Sequence, residues 1–160
     1  MLRYFVGCVL LIVGANASAE LVITSPKEVC NILKGSGLST MEWRDNYGYE
    51  CSSRYKEIGS GNYFANNLAY YVDGIKSAAN QAKLVLNVNN KSQASTAITE
   101  LLDSAELLSI KLAGEELPQT IKNAITSGTP TSATVGNTSV EVTRDDWPTG
   151  KGYEIHVIFK

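Results

Sequence analysis

The chain has 160 residues, 44% of them hydrophobic, and its 14 Lys+Arg against 16 Asp+Glu give a formal charge of −2. That length suits one domain with a real hydrophobic core. The mild acidity excludes partners that depend on clustered basic residues, nucleic acid and anionic membrane surfaces above all.

Residues 1–19 read as a cleaved secretory signal. Arg3 supplies a positive start, Tyr4 to Val13 (YFVGCVLLIV) is apolar, and Ala17-Ser18-Ala19 is the small-x-small pattern that signal peptidase accepts. The apolar run is shorter than the ~20 residues a helix needs to cross a bilayer. No second run of membrane length follows. The expectation is an exported protein, periplasmic or extracellular, with no stable membrane insertion after cleavage. Residues 20–160 then form a single domain, one charge more acidic because Arg3 leaves with the signal. Cys8 leaves as well. The two cysteines that remain, Cys30 and Cys51, are read as one disulfide in an oxidising compartment. They form no CxxC, and the single histidine is distant at His156, so no metal site is expected.

Ser25-Pro26-Lys27-Glu28 predicts a helix start. Ser25 can cap, Pro26 stands where a missing N–H costs nothing, and Glu28 takes the capping-box position. The stripe Val29, Ile32 and Leu33 follows, and Gly35 and Gly37 end the helix. Strand-like segments come next at 40–44, 49–58, 67–75 and 81–88. In the last two, Leu68, Tyr70 and Val72 alternate with Ala69, Tyr71 and Asp73, and Leu84, Leu86 and Val88 with Lys83, Val85 and Asn87. Such period-two alternation marks half-buried antiparallel strands. The period then changes. Ile98, Leu101, Leu102, Ala105, Leu108 and Leu112 fall at helical spacing, and Gly114 ends that helix. A second helix is predicted from Pro118 to about Thr126 with Ile121, Ala124 and Ile125 inward, and Gly128 at its exit. Ser127 to Asn137 reads as a loop by composition. A C-terminal hairpin pairs 138–143 with 152–159, Tyr153, Ile155, Val157 and Phe159 sharing one face.

The order is helix, strands, two helices, C-terminal hairpin. It defines an α+β domain, an antiparallel sheet with helices packed on one face. In element order alone it resembles the small chaperones of bacterial type III secretion. No shared motif accompanies that likeness, and no residue is carried over from it.

The search for chemistry yields few constellations. Glu154 and His156 lie two apart on the last strand, either as a base with an orienting carboxylate or as a solvated pair on a sheet's outer face. No GxSxG elbow, phosphate-cradling glycine loop or EF-hand spacing occurs, and no cofactor is expected. Surface recognition remains. The segment from Arg144 to Lys151 is long for a hairpin loop and carries Trp147 flanked by both charge signs. Trp and Arg are the types most enriched at binding hot spots. Most of the chain's aromatic residues lie between Trp43 and Tyr71, and Tyr70 and Tyr71 must point to opposite faces of one strand. The candidate contact residues are therefore Arg144, Asp146, Trp147, Lys151 and Tyr71.

The expected function is a non-enzymatic protein-binding module, such as an inhibitor, an immunity factor or an accessory chaperone-like protein. The alternatives are a pocket-forming binder of a small apolar or glycan ligand and a cell-wall hydrolase using His156 and Glu154.

Overall fold

A computed structural model of the chain describes residues 19–60 and 64–160. The segment expected to be a signal sequence therefore lies, but for Ala19, outside the described residues, as does Tyr63. The described chain runs α1 (Pro26–Asn31), β1 (Arg44–Asp45), β2 (Tyr49–Ser52), β3 (Lys56–Ile58), β4 (Asn66–Ile75), β5 (Ala78–Val88), α2 (Ala94–Leu112), α3 (Gln119–Ser127), β6 (Thr131–Val135), β7 (Thr138–Asp146) and β8 (Tyr153–Phe159). The strands form one 8-stranded antiparallel sheet in the order β1-β2-β4-β5-β8-β7-β6, with β3 also on β4.

Alternation along the central strands builds the core. Leu68, Tyr70 and Val72 of β4, Leu84, Leu86 and Val88 of β5, and Ile155, Val157 and Phe159 of β8 are all 0% exposed. The helices cover that face with Leu101, Ala105, Leu108 and Leu112 of α2 and Ile121 and Ile125 of α3. Helix α1 is tied to the same face by the Tyr70 hydroxyl, which donates to the Val29 carbonyl at 2.8 Å. The Cys30–Cys51 disulfide fixes it a second time, to β2. The fold is an α+β domain in which all three described helices cover one side of the sheet.

Residues before α1 belong to the fold. The Glu20 amide donates to the Asn137 carbonyl at 2.8 Å, the Val22 amide to Leu112 at 2.7 Å, and the Ala79 amide to Thr24 at 2.8 Å. Leu21 is buried between those anchors.

Several local expectations are corrected. Ser25 sits at the N-cap of α1 but makes no side-chain cap bond, and the α-helix ends at Asn31. A single 3-10 turn, Lys34–Ser36, carries the chain on to Gly37 in the left-handed region. Segment 40–44 is not a strand. Only an isolated bridge from Thr40 to Ser53 and the first residue of β1 are extended there. Segment 49–58 breaks into β2 and β3, both paired to β4. In α2 the buried face is rotated from the Ile98 and Leu102 edge, and it takes in Ser104 and Ser109. Burial of Ser109 is tolerable because its hydroxyl donates to the Glu115 carbonyl at 2.8 Å.

The expected loop at 127–137 contains β6. Thr131, Ala133 and Val135 alternate with the exposed Ser132 and Thr134, and Val135 faces Thr138 across a two-residue turn. Gly136 occupies the first central position of that turn at φ +56°, where glycine is favoured in a type II′ hairpin. A Cβ there would also lie 2.5 Å from the Ala113 carbonyl oxygen. Likewise β7 continues to Asp146, so the last hairpin loop is shorter than the 144–151 segment expected.

Candidate functional site

The face of the sheet opposite the helices carries no covering element among the described residues. Its side chains come from the polar phase of the same alternation, and the register places them in rows. Asn67, Asn87, Glu154 and Asp145 form one row, and Ala69, Val85, His156 and Thr143 the next. Tyr71, Lys83, Ile158 and Glu141 form a third. Most are half-buried by their neighbours, while the small Ala69 and Val85 are buried between them and Asp145 is exposed.

Local chemistry on this face is mutual. The Asn87 amide donates to Asn67 Oδ1 at 2.8 Å. His156 Nε2 and Glu154 Oε2 are 2.8 Å apart, with side-chain exposures of 25% and 30%. His156 faces Val85 and Thr143 across the strands, and its one recorded hydrogen bond is to Glu154. The Lys83 ammonium lies 5.3 Å from the centre of the Tyr71 ring. The Tyr71 hydroxyl is 3.5 Å from that of Tyr55. Its ionisation is pushed well above the ordinary tyrosine range, first by burial, then by Tyr55 and by the nearby Glu154 charge. Tyr71 thus stays a neutral donor with an apolar ring, the amphipathic character that serves contact surfaces.

The candidate contact residues divide between the two faces. The Trp147 amide donates to the Gly152 carbonyl at 3.1 Å, which makes those two a cross-strand pair two residues beyond Asp145 and Glu154. Trp147 therefore shares the open face with Tyr71. Arg144 and Asp146 have the opposite parity and point to the helix side. There the Arg144 guanidinium donates to Asp146 Oδ1 from Nη2 at 2.7 Å and from Nε at 3.1 Å, and it stacks 3.8 Å above the Tyr153 ring. The hydrogen bond from Arg144 holds the Asp146 carboxyl below its usual range. Both charges are already engaged within the chain. Lys151 is exposed in the loop, and the loop is braced by Lys91 Nζ donating to the Gly150 carbonyl at 2.8 Å.

Trp147 is half-buried because it leans on Gly152. A Cβ on Gly152 would come within 2.4 Å of the indole and 2.5 Å of the Val88 carbonyl oxygen. Gly152→Ala is expected to push the ring outward and cost about 1–3 kcal/mol of stability through overpacking. In a Trp43→Phe background, the remaining tryptophan emission should shift to the red. Unchanged emission would place the indole away from Gly152.

Between the sheet and the helices, buried side chains of both layers join in one apolar cluster. A groove of 540 Å³ opens elsewhere, between α1 and the 40–43 segment, lined among others by Pro26, Lys27, Cys30, Met41, Glu42 and Trp43. Trp43 stacks on Tyr49 at 6.4 Å, and its buried indole N–H has no partner among the described residues. The Thr40 hydroxyl closes one wall by donating to the Cys30 carbonyl at 3.0 Å. No spacing in the sequence marks this groove, since two short segments meet only after folding. Among the described residues no group of three or more His, Cys, Asp or Glu could hold a metal ion, and no helix is long and apolar enough to cross a membrane.

Fold and site together define a two-layer α+β domain, stapled by one disulfide, with one sheet face open. The chain belongs to a family of unknown function, DUF6030, whose model matches residues 19–148. That match ends inside the β7–β8 loop, one residue past Trp147, so β8 lies beyond it. No curated protein and no solved structure matches the chain significantly, so the likeness in element order to secretion chaperones has no structural match behind it.

Proposed function

We propose that the chain is an exported, non-enzymatic protein-binding module, of the inhibitor, immunity or accessory chaperone kind, that meets its partner with the open sheet face. The observation that carries this reading is the placing of Tyr71 and Trp147 on one uncovered face of a rigid sheet. They stand three strands and six residues apart in register, roughly 25 Å by strand geometry. That separation fits within one standard interface patch of about 800 Å² per partner. It is too wide for a single small ligand. Export is supported by the signal-like residues 1–19, by a family match that begins at Ala19, and by the disulfide.

The test is affinity capture from the host's envelope fraction with the chain from Glu20, under non-reducing conditions. A stoichiometric protein partner is expected, and Tyr71→Ala and Trp147→Ala should each weaken its binding by more than 1 kcal/mol, about five-fold or more. Neither should shift the melting temperature much, since both side chains are half-exposed. Arg144→Ala, which removes an internal stack, should leave binding unchanged. A partner retained equally by both aromatic variants would remove the open face from consideration.

A second reading is favoured by one observation, the 540 Å³ groove beside α1. Its volume lies in the range of small-ligand sites. Native mass spectrometry of the purified chain distinguishes the two: a co-purified small molecule lost on Trp43→Ala selects the groove.

A further inference from the structure

The two ends of the sheet are built differently. At one end β1 is two residues long, and both, Arg44 and Asp45, are charged and exposed. The neighbouring edge segment β3 carries Lys56 and Glu57. Short, charged edges of this kind prevent a sheet from pairing with another chain. At the other end, β6 (TSATV) has five residues, no charge, no internal proline and no register shift against β7.

The neutrality extends beyond the strand. From Pro118 to Val140 the one charged residue is Lys122, in a chain that is 19% charged overall. Lys122 is itself bonded to Glu106 at 2.9 Å. Helix α3, which packs beside β6, shows solvent Thr120, Asn123, Thr126 and Ser127 instead. Depletion of charge is the compositional mark of an interface core.

Backbone geometry says what the edge offers. Val135 and Thr138 close a two-residue turn and are a hydrogen-bonded pair, so Ala133 and Thr131 also bond to β7. The Ser139 amide and carbonyl are taken by Lys160, at 2.8 and 2.9 Å, which confirms that its β6 neighbour Thr134 points its own groups away. The N–H and C=O of Ser132 and Thr134 therefore face outward, unpaired within the described chain.

We propose that β6 pairs antiparallel with β6 of a second copy of this chain, centred on Ala133. In that register Ser132 stands opposite Thr134 of the other copy, twice, and the outward backbone groups of both residues are satisfied. Ala133 meets its own counterpart at the two-fold axis, where a small side chain allows close approach. The hydroxyls of Ser132 and Thr134 face each other across the strands, a favourable cross-strand pair. Pro130, with no N–H, ends the ladder and disfavours registers that slide past it. A second copy fits this edge because the edge has no charge to select another partner and none to repel itself. The two-fold axis runs normal to the sheet, so both open faces lie on the same side, and a dimer would present them as one bivalent surface.

Sedimentation velocity over a concentration series tests this, paired with hydrogen exchange at the β6 amides. The expected result is a dimer at high micromolar concentration, with the Ser132 and Thr134 amides protected at least ten-fold more than in the monomer. The double variant Ser132→Lys/Thr134→Lys, both side chains being exposed, should fold and run as a monomer. Ile75→Lys, at the far end of β4, should still dimerise. A monomer at every concentration would overturn the proposal. So would a dimer that survives the double variant or leaves those two amides exchanging freely.

Discussion

Tyr70→Ala is expected to lower stability by roughly 4 kcal/mol, the range for deleting a buried aromatic ring. Tyr70 is the largest fully buried side chain among the described residues. It faces the helices from the middle of β4, the strand that pairs with β2, β3 and β5. Its hydroxyl reaches the Val29 carbonyl at 2.8 Å, so one side chain fills the core and tethers α1. Tyr70→Phe keeps the ring and should cost only about 1 kcal/mol, the net worth of one hydrogen bond. The two variants separate packing from tethering in a single urea series. A loss below ~1 kcal/mol for the alanine variant would mean that the ring is not part of the core.

The same residue predicts a pH dependence. Burial raises the Tyr70 hydroxyl far above the ordinary tyrosine range, and Tyr71 is raised as well. The folded chain therefore holds these protons more tightly than the unfolded chain does. Their contribution is fully present below about pH 10, the unfolded value, and is lost as pH climbs through the folded value. Wild-type stability should fall above about pH 10, and Tyr70→Phe should fall less steeply.

Legibility in the sequence followed the strength of the burial pattern. Strands β4, β5 and β8 and the helices α2 and α3 were plain, because each carries a full apolar face with a clear period. Strand β6 was hidden because an edge strand buries little. Its alternation is written in Thr, Ser and Ala, which composition assigns to a loop. The Gly136-Asn137 turn was the available signal for it. In α2 the stripe was misplaced by one edge, since Ser104 and Ser109 face inward where periodicity counts only apolar residues. The bounds of the last hairpin loop were misread for a related reason. One boundary error, ending β7 at Thr143 rather than Asp146, hid the parity that sends Arg144 and Asp146 to one face and Trp147 to the other. Glu154 and His156 needed no such inference, because residues two apart on a strand are neighbours in any register. The groove at Trp43 was illegible in principle, being formed by tertiary approach of segments that carry no periodic signal.

One wall of that groove, α1, is fixed to β2 by the Cys30–Cys51 disulfide, whose removal is the second large effect expected. It joins residues 21 apart in sequence, with Cα atoms separated by 6.3 Å. In the chain-entropy model, closing a loop of this length is worth about 3 kcal/mol. Both cysteines are buried, so a Cys30→Ala/Cys51→Ala variant adds a small packing loss to that figure. Wild type under full reduction should show nearly the same urea midpoint as the double variant, because both lose the same tether. Reducing agent should leave the double variant itself unmoved. Coupling to Tyr70→Phe is informative here. Helix α1 has six residues, too few to persist without tertiary anchors. If the disulfide and the Tyr70 hydroxyl are its two anchors, losing both should cost more than the separate losses combined. Equal midpoints in oxidised and reduced wild type would mean that α1 docks without help from the disulfide. An unequal result ties stability to the redox state of the compartment. The chain would then reach full stability only in an oxidising environment, where the attachment of α1 to β2 is locked in place.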